Sequence, residues 1–186
     1  MSIKYAYLGP AGTFTEAALL KIAASDDQLI AYANVTAALD AVRKGEANKA
    51  LVPIENSVEG VVARTLDELA SGEPLVITAE TTLPVTFSLM TLENKDPKDI
   101  KSIATHPHAE SQCRSFIAKN YPNAQVIETA STAAAAKGLS KGDYDAAIGA
   151  AIAAKNYQLK IIAEDIGDNT SAVTRFVVVE KPGKSP

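Results

Sequence analysis

The chain has 186 residues and a formal net charge of −4; 47% of its residues are hydrophobic and 22% are charged. These values are ordinary for a soluble globular protein, and the acidic balance offers no basic surface for nucleic acid. The single cysteine argues against a disulfide, and the absence of CxxC and HExxH motifs argues against a metal site. The sequence shows no leader and no long apolar run, which argues against export and a membrane span. We therefore expect a cytoplasmic protein.

The first part of the chain alternates between strand and helix patterns. Strands are predicted at residues 3–8, 28–32 and 50–53, and helices at 13–24, 35–44 and 58–69. Thr13 and Glu16 form a capping box for the first helix, while Asn34 caps the second and Gly45 ends it. The turn at 9–12 is not a GxGxxG motif, which argues against a nucleotide site.

The middle of the chain changes character and the alternation then resumes. Residues 75–91 are long, β-rich and interrupted by Pro84, which predicts two consecutive strands or one bent strand between two lobes. Further strands are predicted at 101–105, 125–128, 145–149, 159–164 and 173–180, and helices at 107–120, 132–139 and 150–156. Residues 181–186 are expected to form a linker or tail.

Two βα blocks joined by extended crossovers predict an α/β protein of two lobes with a cleft between them. We place lobe 1 at about residues 1–77 and 166–186 and lobe 2 at about 78–165. Such a topology permits hinge closure on a small ligand.

Glu55, Asn56 and Ser57 form the first polar segment expected to face the cleft. They follow a buried strand and precede the predicted helix at 58–69. Ligands bind at the carboxyl ends of strands in open α/β sheets, and helix amino ends favour anions. The alternative is an ordinary strand-to-helix turn capped by Asn56 or Ser57.

The second segment, residues 105–113, repeats this strand-to-helix arrangement. His106 and Gln112 are candidate ligand contacts, and the alternatives are a structural histidine and a solvated glutamine. Cys113 lies on the apolar face of the predicted helix, so we expect a small core residue rather than a nucleophile.

The third segment, residues 168–176, ends at the start of the last strand. Arg175 beside the hydroxyl of Thr174 suits the binding of a carboxylate, and the alternative is a surface ion pair.

Four motifs follow one another in the chain: YLGPAGTFTEAA, VPIENSVEG, ATHPHAESQC and TRFVVV. Together they resemble the prephenate dehydratase family over essentially all 186 residues. The resemblance implies two α/β lobes with mixed sheets and an interlobe active site, similar to type II periplasmic binding proteins. It also implies a homodimer or larger homo-oligomer that converts prephenate to phenylpyruvate, CO2 and water in phenylalanine biosynthesis without a cofactor.

The motif match implies a role for individual residues. Implied catalytic residues are Thr174, Glu55, Asn56 and Gln112. Implied substrate-binding residues are Arg175, Phe176, Ser57, Thr105, His106 and Thr13. The family usually has Ser-His-Pro-Gln where this chain has Thr105-His106-Pro107-His108, so no role is assigned to His108.

Loss of CO2 and hydroxide from prephenate forms an aromatic ring, which supplies the driving force. The protein must then hold a dianion and help the hydroxide leave, and Thr174 is assigned as hydrogen-bond donor to the departing oxygen. Glu55 is the alternative acid if it is buried; otherwise it orients Asn56 or Thr174.

Other functions remain open alongside this one. They are an arogenate or cyclohexadienyl dehydratase, a solute-binding protein and a sensory domain without turnover. Many members of the family continue into an ACT domain that binds phenylalanine. Because the sequence ends at Pro186, we expect a catalytic-only or shortened form that lacks such regulation.

Overall fold

The computed structural model describes residues 2–183, which form two compact units. One unit contains residues 2–10, 15–84 and 172–183, and the other contains residues 11–14 and 85–171. The chain thus changes unit after Pro84 and before Ala172, whereas the sequence placed the lobe boundaries near residues 77 and 166. The last three residues of the predicted tail, 184–186, lie outside the described residues.

The strands, in chain order, are β1 (Lys4–Leu8), β2 (Gln28–Tyr32), β3 (Lys49–Asn56), β4 (Gly60–Val61), β5 (Val76–Pro84), β6 (Ser88–Thr91), β7 (Ser102–Thr105), β8 (Gln125–Glu128), β9 (Ala146–Gly149), β10 (Lys160–Ala163) and β11 (Val173–Glu180). The helices are α1 (Phe14–Leu19), α2 (Val35–Lys44), α3 (Ala63–Ala70), α4 (Pro107–Gln112), α5 (Arg114–Asn120), α6 (Thr132–Ser140) and α7 (Ala151–Tyr157). Most of these elements confirm the sequence prediction. Among residues 2–183, no helix combines the length and the apolar character that crossing a membrane requires.

The first unit is built on a mixed sheet with the strand order β2-β1-β3-β11-β5. Strands β1, β2 and β3 are parallel, while β11 runs antiparallel to both β3 and β5. Helix α2 packs on this sheet through buried residues at helical spacing, among them Val35, Leu39 and Val42. Its predicted caps are confirmed, since Asn34 accepts from the amide of Ala37 and Gly45 has a φ of 76°.

The predicted turn after Pro53 is wrong, because β3 continues to Asn56. Strand β11 pairs with this extension, and a register shift leaves Ile54, next to Pro53, without a partner on β11. A bulge is one of the places where a strand tolerates proline, which cannot donate to the ladder. The following helix begins only at Ala63, after the short strand β4. Asn56 and Ser57 therefore do not cap a helix, and the helix-terminus argument for anion binding does not apply to them.

The second unit has a five-stranded sheet with the order β10-β6-β9-β7-β8. Strands β7, β8 and β9 are parallel, and β6 and β10 add an antiparallel edge. The alanine-rich helix α6 covers this sheet, and its Ala135, Ala136 and Leu139 are fully buried in a cluster with Met90 and Ala147. Small side chains let the helix approach the strands closely.

Two further predicted helices differ in the structure. Helix α1 ends at Leu19 instead of near residue 24, and the predicted helix 107–120 is broken at Cys113 into α4 and α5. The backbone of Cys113 leaves the helical region, with φ of −121°. The carboxylate of Asp168 accepts from the amide of Ser115 at 3.2 Å, which satisfies one of the amides that the start of α5 leaves without a helical partner.

Asp145 gives the second unit a pH-dependent contribution to stability. Its carboxylate accepts from Lys95 Nζ at 2.6 Å and from the amides of Lys101 and Ser102 at 2.9 and 3.0 Å. The hydrogen bond from Lys95 is the largest cause of the lowering of the Asp145 pKa from 3.8 to about 2. Solvent screens this partly exposed pair, so we expect Asp145→Asn to lower the free energy of unfolding by about 1 kcal/mol near pH 5.

Because the folded-state pKa is depressed, this stabilisation is present above pH 3.8 and is lost as the pH falls towards about 2. Urea unfolding of the wild type and the variant should therefore differ less near pH 3 than near pH 5. Asp26→Asn at an exposed position is the control. A difference that stays constant with pH would contradict this assignment.

Candidate active site

Asn56 and Thr174 form the centre of the polar cluster in the first unit. They are cross-strand partners on β3 and β11, and Asn56 Nδ2 donates to Thr174 Oγ1 at 2.8 Å. Thr174 is buried, with 8% of its surface exposed. The sequence prediction placed both residues in the site, and the structure brings them into contact across 118 positions of the chain.

The orientation of the Asn56 amide fixes the direction of this hydrogen bond. Asn56 Oδ1 accepts from the amides of Val58 and Glu59 at 2.8 and 3.1 Å. The carbonyl side of the amide is therefore used by the turn, and its NH2 side is turned to Thr174. Because Thr174 Oγ1 accepts from Asn56, its own proton is available for donation to another acceptor.

Ser57 joins the ends of β3 and β11 next to the pair formed by Asn56 and Thr174. Its amide donates to the carbonyl of Val173, and the amide of Val173 donates to Ser57 Oγ, both at 2.9 Å. The predicted substrate-binding residue Ser57 thus has a structural partner that the sequence did not indicate. The two bonds hold the two strands together immediately beyond Asn56 and Thr174.

Arg175 lies on the opposite face of the sheet from Thr174, because successive side chains alternate along a strand. Its guanidinium pairs with Glu80, with Nε 2.9 Å from Oε2, and lies 4.0 Å from Glu55. Glu80 and then Glu55 raise the pKa of Arg175. The ion pair that the sequence left open as an alternative is present.

Glu55 and Phe176 differ in their exposure to solvent. The side chain of Glu55 is 53% exposed, so the burial that a role as general acid requires is absent. Phe176 is 1% exposed and is one of the largest fully buried side chains, which places it in the packing of the first unit. Any effect of Phe176 on substrate binding would then pass through the position of β11.

The remaining predicted residues lie in the second unit. Thr105 is fully buried and donates to the carbonyl of Ile148 at 3.0 Å, so its hydroxyl joins β7 to β9. His106 caps α4, where Nδ1 accepts from the amide of His108. Gln112 Nε2 donates to the carbonyl of His108 at 3.2 Å.

Thr13 belongs to a short segment, residues 11–14, that the chain contributes to the second unit. Tyr157 Oη donates to the carbonyl of Ala11 at 2.9 Å, and Phe14 packs edge-on against Phe87. Gly12 has a φ of 89°, and a Cβ there would lie 3.0 Å from Tyr157. Both the positive φ and the close packing on α7 therefore favour glycine at this position.

Cys113 is buried, and burial followed by the nearby Asp168 raises its pKa to about 12. This confirms the prediction of a core cysteine, because the thiolate is the nucleophilic form. We expect iodoacetamide to leave Cys113 unmodified in the folded protein near pH 8 and to alkylate it after unfolding in urea. Stoichiometric alkylation of the folded protein, measured by mass spectrometry, would contradict this.

Glu80 is the residue of this cluster that the sequence analysis missed. It stands in the β-rich run before Pro84 and belongs to none of the four motifs. Only the pairing of β5 with β11 brings it to Arg175. A lone carboxylate among β-branched residues was the one available signal, and it did not identify the partner.

Comparisons of sequence and of structure both match this chain to prephenate dehydratases. The prephenate dehydratase family model matches residues 5–184. The prephenate dehydratase of Amycolatopsis methanolica is 48% identical over 179 residues, covering 96% of this chain and 58% of that protein. A crystal structure of the Arthrobacter aurescens prephenate dehydratase in complex with L-Phe superposes with a TM-score of 0.90 at 48% identity, covering 99% of this chain and 61% of that one.

More distant structures agree in fold alone. A Bacillus subtilis protein provisionally assigned as a methionine-binding lipoprotein has a TM-score of 0.51 at 13% identity, covering 98% of this chain and 84% of that one. The mixed α/β fold thus extends to periplasmic binding proteins, as the resemblance implied. The chain spans about six tenths of the length of the family relatives it matches.

Proposed function

The chain belongs to the prephenate dehydratase family, and we propose that it converts prephenate to phenylpyruvate, CO2 and water. The observation that carries this proposal is the hydrogen bond from Asn56 to Thr174. This bond brings the ENS and TRF motifs, which are far apart in the sequence, into contact and orients the hydroxyl of Thr174 as a donor. The match over residues 5–184 supports the proposal independently.

Turnover breaks two bonds of the substrate. The electrons of the C–C bond to the ring carboxylate move into the ring, CO2 departs, and the ring C–O bond breaks. The departing hydroxide takes up a proton and leaves as water, so one dianion and one proton give phenylpyruvate, CO2 and water. Negative charge develops on the departing oxygen, and a positioned donor stabilises it in the transition state.

Thr174 supplies that donor in the proposed mechanism. A threonine hydroxyl is too weak an acid to lose its proton at neutral pH, so it acts by hydrogen bonding and the proton comes ultimately from solvent. Asn56 keeps the acceptor side of the hydroxyl occupied, which leaves the proton for the departing oxygen. The position of Thr174 at a buried strand end keeps this dipole fixed before the reaction starts.

His106 and Gln112 are proposed to contact the substrate, and Thr105 is proposed to support the site by joining β7 to β9. Of the three, the imidazole of His106 and the amide of Gln112 carry groups that can contact an anion, while the hydroxyl of Thr105 is used within the sheet. Raised KM values for Gln112→Ala and His106→Ala with prephenate would support this assignment. Unchanged KM values in both variants would contradict it.

We also propose a cytoplasmic location and a homodimer or larger homo-oligomer. A single cysteine is consistent with a reducing compartment. Strand β5 lies at the end of its sheet order and exposes Val76 and Ile77, and such edges favour pairing with another chain. Light scattering of the purified chain tests the assembly.

The proposal is tested by incubating the purified chain with prephenate and, separately, with arogenate. We expect phenylpyruvate from prephenate at a rate well above the spontaneous one. Preferential formation of phenylalanine from arogenate would assign the alternative dehydratase. Binding of prephenate without product would identify a ligand-binding domain and contradict the proposed activity.

A further inference from the structure

Glu80 holds Arg175 from the neighbouring strand. Both Nε and Nη2 of Arg175 donate to Glu80 Oε2, with Nε at 2.9 Å. On the other side, Nη1 of Arg175 lies 4.0 Å from Glu55 Oε2. The guanidinium on β11 therefore connects β5 through Glu80 and β3 through Glu55. We refer to Glu55, Arg175 and Glu80 as the clamp.

The clamp crosses the sheet at a weak point of the backbone ladder. Strands β3 and β11 shift register between the pairs Pro53–Phe176 and Glu55–Arg175. The proline has no N–H for the ladder, and a bulge disrupts neighbouring hydrogen bonds. Beyond the bulge, the bonds between Ser57 and Val173 hold the far ends of the two strands, and the side-chain contacts of the clamp hold the residues next to the bulge.

These segments carry the pair at the centre of the candidate active site. Asn56 and Thr174 are the cross-strand partners next to Glu55 and Arg175. Side chains alternate along each strand, so the clamp and the pair lie on opposite faces of the sheet. The exposures agree, with 49% for the Arg175 side chain and 8% for Thr174. A shift of the clamp is transmitted to the pair through one peptide unit in each strand.

We propose that Glu80 and Arg175 are positioning residues that keep Asn56 Nδ2 aligned with the hydroxyl of Thr174. The inference rests on the proposed function and adds to it a residue, Glu80, outside the four motifs. Exposed ion pairs contribute little to the free energy of unfolding. The clamp therefore acts by holding the strand ends in position. Its loss should lower kcat and leave the free energy of unfolding nearly unchanged.

This assignment differs from a role of Arg175 as a ligand for a substrate carboxylate. Glu80 already engages two of the nitrogens of the guanidinium. A substrate carboxylate would have to compete with Glu80, so removal of the Glu80 charge would then strengthen substrate binding and lower KM. In a positioning role, the same removal lowers kcat. The two roles thus predict different responses to one substitution.

The test is Glu80→Gln, which keeps the size of the side chain and removes its charge. We expect kcat with prephenate to fall by about tenfold, below the roughly hundredfold cost of a 1 Å misplacement, with little change in KM. The matched control is Glu180→Gln. It removes the partner of Lys49, which pairs with Glu180 at 2.9 Å at the other end of the same two strands.

Arg175→Lys extends this test, because it keeps the charge but loses the planar fork that reaches two carboxylates. We expect it to lower kcat in the same direction as Glu80→Gln. An unchanged kcat in Glu80→Gln would overturn the proposal. A lower KM with unchanged kcat would also overturn it and would show Arg175 to be a substrate ligand.

Hydrogen exchange provides a readout that needs no turnover. The amide of Ser57 donates to the carbonyl of Val173 next to the pair, and its exchange should be faster in Glu80→Gln than in Glu180→Gln. Equal exchange in the two variants would overturn the proposal. If the wild type does not turn over prephenate, the proposed function fails, while the exchange comparison still decides whether the clamp positions these strand ends.

Discussion

Thr174→Val is expected to lower kcat with prephenate by roughly 10²–10³, the usual cost of removing one hydrogen-bond donor to a developing oxyanion. Valine keeps the shape and the β-branched rotamer preference of threonine but has no hydroxyl. The bond strengthens mainly as charge develops on the departing oxygen, so KM should change little. The variant also leaves Asn56 Nδ2 without its partner at 2.8 Å, which should lower the free energy of unfolding by about 1 kcal/mol.

Thr174→Ser is the matched control for this prediction. It keeps the hydroxyl, with a less restricted χ1, and should retain much more activity than the valine variant. Both are measured at saturating prephenate, with folding checked by circular dichroism. Equal kcat values for the valine and serine variants would show that the hydroxyl is not the donor.

Asn56→Asp is expected to lower kcat by about 10². The substitution keeps an oxygen that can accept from the amides of Val58 and Glu59, so the turn after β3 should persist. The group that faces Thr174 changes from a donor to an acceptor. The hydroxyl of Thr174 then donates to the new carboxylate and is no longer available to the departing oxygen. The added negative charge also repels a dianionic substrate, so KM should rise.

Asn34→Asp controls for the general effect of this change. Asn34 Oδ1 accepts from the amide of Ala37 at the start of α2, and aspartate serves equally well at an N-cap. The control should keep wild-type kcat and KM. If Asn56→Asp keeps a third or more of the wild-type kcat, the direction of the hydrogen bond between Asn56 and Thr174 is not important for turnover.

Local signals were sufficient to predict most of the fold. Helix α2 has an N-cap at Asn34, a glycine at its end and an apolar face at helical spacing, and its predicted bounds are those observed. The helix predicted at 107–120 shows the limit of such signals, because Asp168, which accepts from the start of α5 after the break at Cys113, lies 53 positions from Ser115. The same holds for β3, whose extension past Pro53 exists because β11 pairs with it.

In the candidate site, too, the sequence identified residues but not the contacts that depend on the fold. Asn56 and Thr174 stand in recognisable motifs, but the sequence carried no information on which atom of the amide faces the hydroxyl. That direction follows from the turn at Val58 and Glu59. The carboxylate of Glu80 was missed because its significance depends on the register of β5 against β11.

The most direct test of the proposed mechanism compares the wild-type chain with the Asn56→Asp/Thr174→Val double variant at saturating prephenate. Phenylpyruvate and CO2 are measured together, because the reaction releases them in equal amounts. Our mechanism predicts equimolar products from the wild type at a rate at least about 10² above that of the double variant. Product formation at the same rate by both folded proteins would contradict the assignment of Asn56 and Thr174 to the chemical step.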